Sequence, residues 1–350
     1  MNSIQNSSVV ISQLKRVIAG ESLAQSEMAD LMRIIMSGGA SPAQIAGLLV
    51  ALRIKGETVD EITGAAQVMR ELATPVKLTQ SNAVDTCGTG GDGANLFNVS
   101  TAAAFVVAAA GGSVAKHGNR SVSSSTGSAD LLEAAGANLA LTPEQVARAV
   151  DVIGVGFLFA PAHHSAMKHA VAPRKELGIR TIFNLLGPMT NPAGVKRQVM
   201  GVFDAALCRP LCDVLQRLGS EHVLVVNAGD GLDEFSVVAP TRVAELRGGV
   251  INEYVVDPAV LKKSHSSLEG LTVASAHESL ALIRAVFANE DSPLIRKAAD
   301  LLALNAGAAI YVAGLTPSLS SAVAMADDAI ASGAAEEKFN TFIHFTQTLS

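Results

Sequence analysis

The stretch Asp85-Thr-Cys-Gly-Thr-Gly-Gly-Asp-Gly93 decides the fold. It follows the apolar pair Ala83-Val84 and leads through Asn98 into an alanine-rich segment that predicts a helix over 102–110. A strand, a glycine-rich loop and a helix N-terminus together form an anion site. The glycines expose backbone N–H groups, and the helix end adds partial positive charge. The stretch therefore predicts a site for phosphate or another anion.

A second stretch, Lys116-His-Gly-Asn-Arg-Ser-Val-Ser-Ser124, repeats this plan. It follows a predicted strand at 114–115, and the polar loop 116–128 precedes a predicted helix over 129–135. Lys116 and Arg120 can neutralise phosphate, and hydroxyls of the loop can donate to its oxygens, among them those of Ser121, Ser123, Ser124, Thr126 and Ser128. Two such loops about thirty residues apart suit a ligand with two separated phosphate groups.

Neither loop has the spacing of a common nucleotide motif, because GxxxxGK[ST] is absent and GTGGDG is not GxGxxG. For the first loop alone, the alternative is an ordinary set of turns, since the chain has 30 glycines. The basic, hydroxyl-rich second loop favours the anion site.

Composition bounds the class of protein. The 350 residues allow one large or two modest domains, and 49% apolar with 17% charged residues suffice for a core. The net charge of −6 is spread without runs, which argues against nucleic acid or an anionic membrane as partner. The three cysteines suit a reducing compartment. The sequence has no uncharged run of eighteen apolar residues of the kind that would predict a membrane-spanning helix. We predict a cytoplasmic, soluble protein.

Hydrophobic periodicity divides the chain into two regions. Residues 1–73 predict helices only, two of them opened by the capping boxes at Ser41 and Thr58, so a small helical domain over 1–75 is expected. It is completed by a segment near 175–196, and the α/β domain covers 76–350. From about residue 80 strands and helices alternate, which predicts a mostly parallel sheet covered by helices. The predicted strands beyond the loops are 155–159, 198–203 and 222–226, with an edge hairpin over 241–246 and 250–255.

The pair Asp233-Glu234 follows a predicted strand and a glycine turn. Adjacent carboxylates beside phosphate suit Mg²⁺, which takes one or two carboxylates and keeps substrate oxygens and water. The alternative is a solvated acidic turn.

Arg174 opens a segment that ends in an unusually apolar predicted loop over 181–192. Pro173 is expected to interrupt the helix there, so that the Arg174 guanidinium could grip a carboxylate in bidentate fashion. The alternative is a surface salt bridge.

Three histidines lie near these motifs. His117 is expected to orient the loop backbone, whereas His163 and His164 could line the cleft or be structural. Because nothing places a carboxylate beside them, no acid–base role is assigned.

The motifs together resemble the anthranilate phosphoribosyltransferase family over nearly the whole chain. The shared motifs, in order, are GTGGDG, FNVSTAAAF, KHGNRSVSS, GSADLLEA, FAPAHH, RKELGIRTIFNLLGPMTNPA and the Asp-Glu pair. Two departures concern phosphate contacts: Leu96 replaces a usual Thr or Ser, and Ser125-Thr126 replaces a usual Lys-Ser. The resemblance implies the fold of pyrimidine nucleoside phosphorylases and a homodimer formed through the helical domain.

The resemblance also implies the reaction and its residues. The amine of anthranilate displaces pyrophosphate from phosphoribosyl pyrophosphate, with inversion, in tryptophan biosynthesis. Two Mg²⁺ ions are implied, held with the diphosphate by Ser100, Asp233 and Glu234, while Gly88, Asn119 and Arg174 would contact anthranilate. No catalytic residue is certain, since Lys116, Asn119 and Arg174 would act by positioning and electrostatics. The substrate-binding residues implied are Gly88, Gly91, Asp92, Asn98, Ser100, Thr101, Lys116, His117, Gly118, Asn119, Arg120, Ser121, Val122, Ser123, Ser124, Ser128 and Arg174.

Two alternatives have the same scaffold. A pyrimidine nucleoside phosphorylase would use phosphate and a nucleoside, and the Asp-Glu pair and the Arg174 region argue against it. A non-enzymatic paralogue that binds nucleic acid would need basic surface patches, whereas this chain is acidic.

Overall fold

The computed structural model describes residues 3–121 and 124–349, and the region before residue 74 contains four helices. They begin and end close to where their caps predict. Ser41 Oγ accepts from Gln44 N at 3.2 Å, and Gly56 ends the same helix at φ 85°. The four helices are α1 (Ser3–Ile18), α2 (Gln25–Met36), α3 (Pro42–Lys55) and α4 (Val59–Leu72).

Seven strands form one sheet in the order β3-β2-β1-β4-β5-β6-β7. The first five run parallel, and the last two form the predicted antiparallel hairpin at the edge. The predicted α/β class with a mostly parallel sheet is confirmed. The strands are β1 (Val84–Gly88), β2 (Val114–Gly118), β3 (Val155–Phe159), β4 (Arg197–Gly201), β5 (His222–Ala228), β6 (Thr241–Arg247) and β7 (Val250–Val256).

Eleven further helices in the described residues connect and cover the strands. The longest, α13, spans 21 residues and packs on α5 and α14. They are α5 (Val99–Ala109), α6 (Ser128–Ala134), α7 (Pro143–Ile153), α8 (Ala160–His163), α9 (Lys168–Leu177), α10 (Ile182–Leu186), α11 (Cys208–Arg217), α12 (Ala276–Phe287), α13 (Pro293–Ala313), α14 (Leu319–Ala331) and α15 (Ala334–Thr348).

Two hydrophobic cores lie on opposite faces of the sheet, and β5 contributes to both. Leu224 and Val226 point into the core under α5 and α13, whereas Val223 and Val225 point into the other. The second core joins α2, α3 and α4 with α9, α10 and α11. No helix in the described part of the chain is long and apolar enough to cross a membrane.

Three local predictions were wrong. Lys116 and His117 lie on strand β2, not in a loop, because β2 pairs with β3 as far as Gly118. The predicted apolar loop begins with helix α10, which is capped by a bond from Thr181 N to Asn184 Oδ1 at 3.0 Å and buries its apolar side chains. Pro173 does not interrupt α9, which continues past it to Leu177 although proline has no N–H to donate within the helix.

Candidate active site

The carboxyl ends of three parallel strands surround a cavity. Gly88 at the end of β1 pairs with Gly201 at the end of β4, and Gly201 pairs with Val226 on β5. Ligands of open parallel sheets bind at this edge. The cavity is lined by Thr86, Cys87, Gly88, Ser100, Ala103, Val199, Gly201, Val226, Asp233, Glu234 and Asn305.

The pair Asp233-Glu234 supplies two carboxylates to this cavity. Gly90 N donates to Asp233 Oδ2 at 2.8 Å, and Ser100 N donates to Glu234 Oε1 at 3.3 Å. Glu234 Oε2 is buried and has no hydrogen-bond partner in the described residues. Burial, together with the charge of Asp92, raises the pKa of Asp233 to about 7. Burial and the two aspartates raise the pKa of Glu234 well above its ordinary range. The site therefore disfavours the charged form of both acids, and a bound cation would stabilise that charged form.

The donor set fits Mg²⁺ held jointly with a substrate. The described residues contain no group of three or more His, Cys, Asp or Glu side chains placed to hold a metal alone. Mg²⁺ does not need such a group, because one or two carboxylates, substrate phosphate oxygens and water complete its shell. The unpartnered Glu234 Oε2 and the nearby Asp233 carboxylate are oxygen ligands of this kind.

Two glycines make room for Asp233. A Cβ atom at Gly88 would lie 2.5 Å from Asp233 Oδ2, and one at Gly201 would lie 1.5 Å from the Asp233 backbone oxygen. At Gly201 only glycine fits, because the clash would be with backbone, whereas a larger residue at Gly88 would displace the Asp233 side chain. Sequence reasoning singled out Gly88 but missed Gly201, which stands in the strand sequence RQVMG without a motif around it.

Lys116 brings positive charge to the start of α5. Its Nζ atom donates to the Thr86 carbonyl and, at 3.4 Å, to Ser100 Oγ, and the residue is only 3% exposed. The charge of Lys116 lowers the pKa of both Asp85 and Glu234, opposing burial. Lys116 thus bonds two residues that line the cavity, Thr86 and Ser100.

Asp85 is a site-supporting residue to which sequence reasoning gave no role. Its Oδ1 atom accepts from His117 N at 3.1 Å, and Oδ2 accepts from Asn191 Nδ2 at 2.8 Å. Asn191 also donates to the Ala115 carbonyl at 2.8 Å. Burial raises the pKa of Asp85 to about 6, so the carboxylate depends on these donors and on Lys116. The only signal in the sequence was an acid at the start of the glycine motif.

The first loop, residues 89–98, is held largely by distant residues. Arg180 donates to the Gly91 carbonyl and stacks on the Phe203 ring, 4.3 Å from its centroid. Asp92 accepts from Ala94 N at 3.1 Å.

Asn98 ends this first loop and bonds through its backbone N–H and both side-chain polar atoms. Its N–H donates to Ser279 Oγ at 2.9 Å, and its Oδ1 atom accepts from Ser279 at 2.8 Å and from Thr126 at 3.3 Å. Nδ2 donates to the Thr126 carbonyl at 3.4 Å. Thr101, also predicted for this site, is buried in the first turn of α5. Leu96, one of the two departures, packs at the edge of the core and bridges to Thr272.

The second loop, residues 119–128, is held mainly by residues that are close to it in sequence. Asp130 Oδ2 accepts from Ser121 N at 2.9 Å and from Gly127 N at 2.8 Å, a role that sequence reasoning missed. Ser124 N donates to Ser121 Oγ at 2.9 Å, and Ser128 Oγ donates to the Asn119 carbonyl at 3.2 Å.

Gly118 and Arg120 flank this loop, and part of it is not described. A Cβ atom at Gly118 would meet Ser128 Oγ at 2.2 Å, so the glycine permits this close approach. Arg120, expected to neutralise phosphate, forms an ion pair with Glu133. The predicted contacts Val122 and Ser123 lie outside the described residues.

The histidines are buried and neutral. His117 Nδ1 lies 3.2 Å from the Gly187 carbonyl, its ring centroid is 5.1 Å from that of His164, and the Nε2 atom of each ring is unpartnered among described residues. Burial and the neighbouring His164 lower the pKa of His117 to about 3. Burial and the neighbouring His163 lower the pKa of His164 to about 4. His163 instead bonds the Thr74 carbonyl at 3.0 Å.

Arg174 is partly buried and carries an uncompensated charge. Its guanidinium lies 5.1 Å from the centroid of the Phe183 ring, and burial lowers its pKa with no acid opposing the shift. Within the described residues its side chain forms no ion pair, and it bonds to neither Gly88 nor Asn119. The segment that follows α9 nevertheless reaches the first loop through Arg180.

Comparison with known proteins identifies first the class and then the family. Residues 12–73 match the family model for the glycosyl transferase helical bundle domain, and residues 80–336 match that for the glycosyl transferase a/b domain. The chain is thus a glycosyltransferase of this two-part type. Anthranilate phosphoribosyltransferase of Teredinibacter turnerae is 67% identical over 95% of this chain and 98% of its own length. That of Saccharophagus degradans is 66% identical with the same coverage. The chain therefore belongs to the anthranilate phosphoribosyltransferase family, which confirms the resemblance.

Solved structures of anthranilate phosphoribosyltransferases are similar to this chain over nearly its whole length. Anthranilate phosphoribosyltransferase from Thermus thermophilus is 44% identical, with a TM-score of 0.89 over 95% of this chain and 99% of that one. The enzyme from Saccharomyces cerevisiae, solved in complex with PRPP and Mg, is 24% identical, with a TM-score of 0.88 over 98% of this chain and 99% of that one. At that identity the yeast structure shows a shared fold.

Proposed function

We propose that this chain transfers the phosphoribosyl group of phosphoribosyl pyrophosphate to the amine of anthranilate in tryptophan biosynthesis. The bond from the anomeric carbon to the diphosphate oxygen breaks, the bond from the amine nitrogen to that carbon forms, and pyrophosphate leaves. One observation carries the proposal: a buried acidic pair faces the cavity where glycine loop and helix N-terminus meet, with Glu234 Oε2 unpartnered among the described residues. The names and lengths of the bacterial relatives support it.

The two glycine loops and the first turn of α5 would bind the donor. The α5 N-terminus and Lys116 place positive charge at the cavity, and the hydroxyls of the second loop surround it. Because Arg120 is already paired with Glu133, Lys116 is the stronger candidate for the phosphate charge. The donor contacts proposed are Gly88, Gly91, Asp92, Asn98, Ser100, Thr101, Lys116, Asn119, Ser123 and Ser124. The further substrate-binding residues proposed are His117, Gly118, Arg120, Ser121, Val122, Ser128 and Arg174.

Asp233, Glu234 and Ser100 would hold two Mg²⁺ ions together with the diphosphate of the donor. Bound there, the ions would neutralise the charge that develops on departing pyrophosphate. The raised pKa values of both acids support the assignment. Burial and repulsion from neighbouring carboxylates disfavour the charged form of each acid, so each acid is stabilised either by taking up a proton or by binding a cation. Ser100 Oγ, which accepts from Lys116, is within reach of the same charge.

Arg174 would hold the anthranilate carboxylate. A partly buried guanidinium without an acid is costly unless an anionic ligand pairs with it. Gly88 and Asn119 would complete the acceptor site from the strand ends, and the Nε2 atoms of His117 and His164, unpartnered among the described residues, offer it polar groups.

Catalysis would rest on positioning and on electrostatic stabilisation, without a general base. The aromatic amine has a free lone pair at neutral pH, so attack needs no deprotonation, and the proton lost after attack can pass to water. His117, with its pKa lowered to about 3, is a poor base. Lys116 and the loop N–H groups would stabilise the leaving charge, and Asn119 and Arg174 would aim the amine.

Assembly and location complete the proposal. The chain would form a homodimer through the helical domain over 1–75, completed near 175–196, with the α/β domain over 76–350. Exposed apolar side chains on the first helices, such as Ile18 and Ile54, support such a contact. All three cysteines are free, which supports a reducing, cytoplasmic location.

The reaction can be tested by following the loss of anthranilate fluorescence with protein, phosphoribosyl pyrophosphate and Mg²⁺, omitting each in turn. A decay that requires all components and releases pyrophosphate is expected. Arg174→Ala should raise the anthranilate KM much more than the donor KM, whereas Arg209→Ala, a surface arginine paired with Asp213, should change neither. No decay, or phosphate-dependent cleavage of thymidine or uridine instead, would refute the proposal.

A further inference from the structure

Asn305 is an isolated amide in an apolar stretch of helix α13, Leu301-Leu-Ala-Leu-Asn-Ala-Gly-Ala-Ala-Ile310. It is 6% exposed and lines the same cavity as Asp233 and Glu234. An amide in the middle of a helix is neutral to unfavourable for the helix unless its polar atoms find partners. Its contacts therefore indicate why it is there.

The side chain of Asn305 pairs with both backbone polar groups of one residue. Phe235 N donates to Asn305 Oδ1 at 2.9 Å, and Asn305 Nδ2 donates to the Phe235 carbonyl at 2.9 Å. The same Nδ2 donates to the Leu301 carbonyl, one turn earlier, at 3.0 Å. A side-chain amide that bonds both the N–H and the C=O of Phe235 fixes that residue's backbone as a neighbouring strand would.

Phe235 directly follows Glu234, so fixing its backbone fixes the direction of the acidic pair. On the other side, the Asp233 carbonyl lies against Gly201, where a Cβ atom would approach to 1.5 Å. The acidic pair is thus held between Gly201 on β4 and Asn305 on α13. Glu234 itself receives only one hydrogen bond from the described residues, from Ser100 N at 3.3 Å, so its own side-chain bonds cannot set its position.

We infer that Asn305 is a positioning residue for the carboxylates that hold the metal, acting through the Phe235 backbone. This inference rests on the proposed function of the acidic pair. Groups that orient metal ligands without touching the metal typically change affinity or activity about 10–100-fold when they are removed. Removing the Asn305 amide should therefore weaken metal binding while leaving the acceptor site intact.

Two substitutions separate the contacts. Asn305→Leu keeps the branching at Cγ and removes all three hydrogen bonds. Asn305→Thr is milder, because a threonine hydroxyl in a helix can bond the carbonyl four residues earlier and so replace the Leu301 contact, while both Phe235 bonds are lost. Should the leucine variant fail to fold, the threonine variant still tests the inference.

Tyr311→Phe is the matched control. Tyr311 lies six residues further along α13, and its hydroxyl donates to Glu245 Oε1 at 2.8 Å, away from the acidic pair. The substitution removes this buried contact and the bond that the hydroxyl accepts from Arg247 at 2.7 Å, and it should lower thermal stability without reaching the metal site.

Mn²⁺ binding provides a readout that does not depend on turnover. Free Mn²⁺ is titrated by electron paramagnetic resonance with full-length protein and phosphoribosyl pyrophosphate, without anthranilate, and thermal stability and steady-state rates are measured in parallel. We expect both Asn305 variants to raise the Mn²⁺ midpoint about 10-fold. The anthranilate KM should remain within about 2-fold, since positioning of the metal ligands does not touch the acceptor.

The outcomes separate the inference from the function on which it rests. Unchanged midpoints in both Asn305 variants would overturn the inference, as would an equal rise in Tyr311→Phe, because a general loss of stability would then explain the effect. If the wild-type protein binds no Mn²⁺ with the donor present, the metal part of the proposed function fails first and the inference fails with it.

Discussion

The first loop (residues 89–98) and the second loop (residues 119–128) each join a strand to a helix but are held in different ways. In the first, Thr89 N donates to Gly201 at 2.9 Å, Gly90 N to Asp233 at 2.8 Å and Phe97 N to Leu271 at 3.1 Å. These partners lie more than a hundred residues away in sequence. In the second, Ser121 and Gly127 both donate to Asp130, within ten residues. The first loop is therefore anchored mainly by residues distant in the chain, whereas the second is anchored mainly by residues close to it in sequence and meets the first through Asn98 and Thr126.

Because the two loops are anchored differently, mutations at their anchors should have different effects on stability and activity. Damage to the anchors of the first loop should reduce both stability and activity, because the same contacts hold strands β1 and β4 and the acidic pair. Damage to the anchor of the second loop should reduce donor binding with a smaller loss of stability.

The largest effect is expected at Gly201. Gly201→Ala would place a Cβ atom 1.5 Å from the Asp233 carbonyl, so the acidic pair or strand β4 must move. We expect a loss of several kcal/mol of unfolding free energy and more than about 100-fold in kcat/KM. Gly47→Ala is the control, because its Cβ atom would meet Leu14 at an ordinary 3.5 Å within helix α3. Denaturant unfolding curves and steady-state rates measure the two effects. Near-wild-type stability and activity of Gly201→Ala would contradict the claim that the acidic pair and the first loop depend on the close approach at Gly201.

Fold and site differ in how far the sequence predicts them. The capping boxes at Ser41 and Thr58 and the glycine loops are local signals, so the helices, the parallel sheet and the cavity edge follow from them. Gly201, Asn305 and Asp85 act through residues distant in the chain, and no local pattern marks a glycine that makes room for a carbonyl. Strand β2 was predicted too short for the same reason: pairing with β3 carries Lys116 and His117, although their polarity suggests a loop.

The second prediction concerns pH. The pKa of Asp233 is raised to about 7 in the folded protein, above its ordinary value of about 4, so the folded state binds more protons between these values. Without metal, Asp233 therefore reduces stability progressively as pH rises from about 4 to about 7. Asp233→Asn should consequently be more stable than the wild type at about pH 8, and this advantage should shrink towards about pH 4. Urea unfolding with chelator at several pH values measures it, and a pH-independent difference would contradict the prediction.

Asp130→Ala tests the local anchor of the second loop. It leaves two backbone N–H groups, on Ser121 and Gly127, without their carboxylate, at a cost of about 1–3 kcal/mol to the ordered loop. The donor KM should rise about 10-fold, the anthranilate KM should change little, and the melting temperature should fall less than in Gly201→Ala. Asp213→Asn, which removes a surface acid paired with Arg209, is the control. A larger loss of stability than at Gly201 would show that this loop is not anchored mainly by residues close to it in sequence.

The smallest effect is expected where the loops meet. Ser279 Oγ accepts from Asn98 N at 2.9 Å and donates to Asn98 Oδ1 at 2.8 Å, and that oxygen also accepts from Thr126 of the second loop. Ser279→Ala removes both of these bonds, each of which contributes on the order of 1 kcal/mol. Because Ser279 is proposed to act on the donor only through Asn98, we expect only part of this free energy to affect donor binding and the donor KM to rise about 3-fold. Ser275→Ala removes the N-cap of the same helix, α12, and should destabilise it without this change in KM. In the double variant Asp130→Ala/Ser279→Ala, the change in donor binding free energy should differ from the sum of the two single changes. Non-additivity is expected because both substitutions act on the segment around Thr126. Strict additivity would instead mean that Asn98 does not couple the loops, and that each holds its own part of the donor independently.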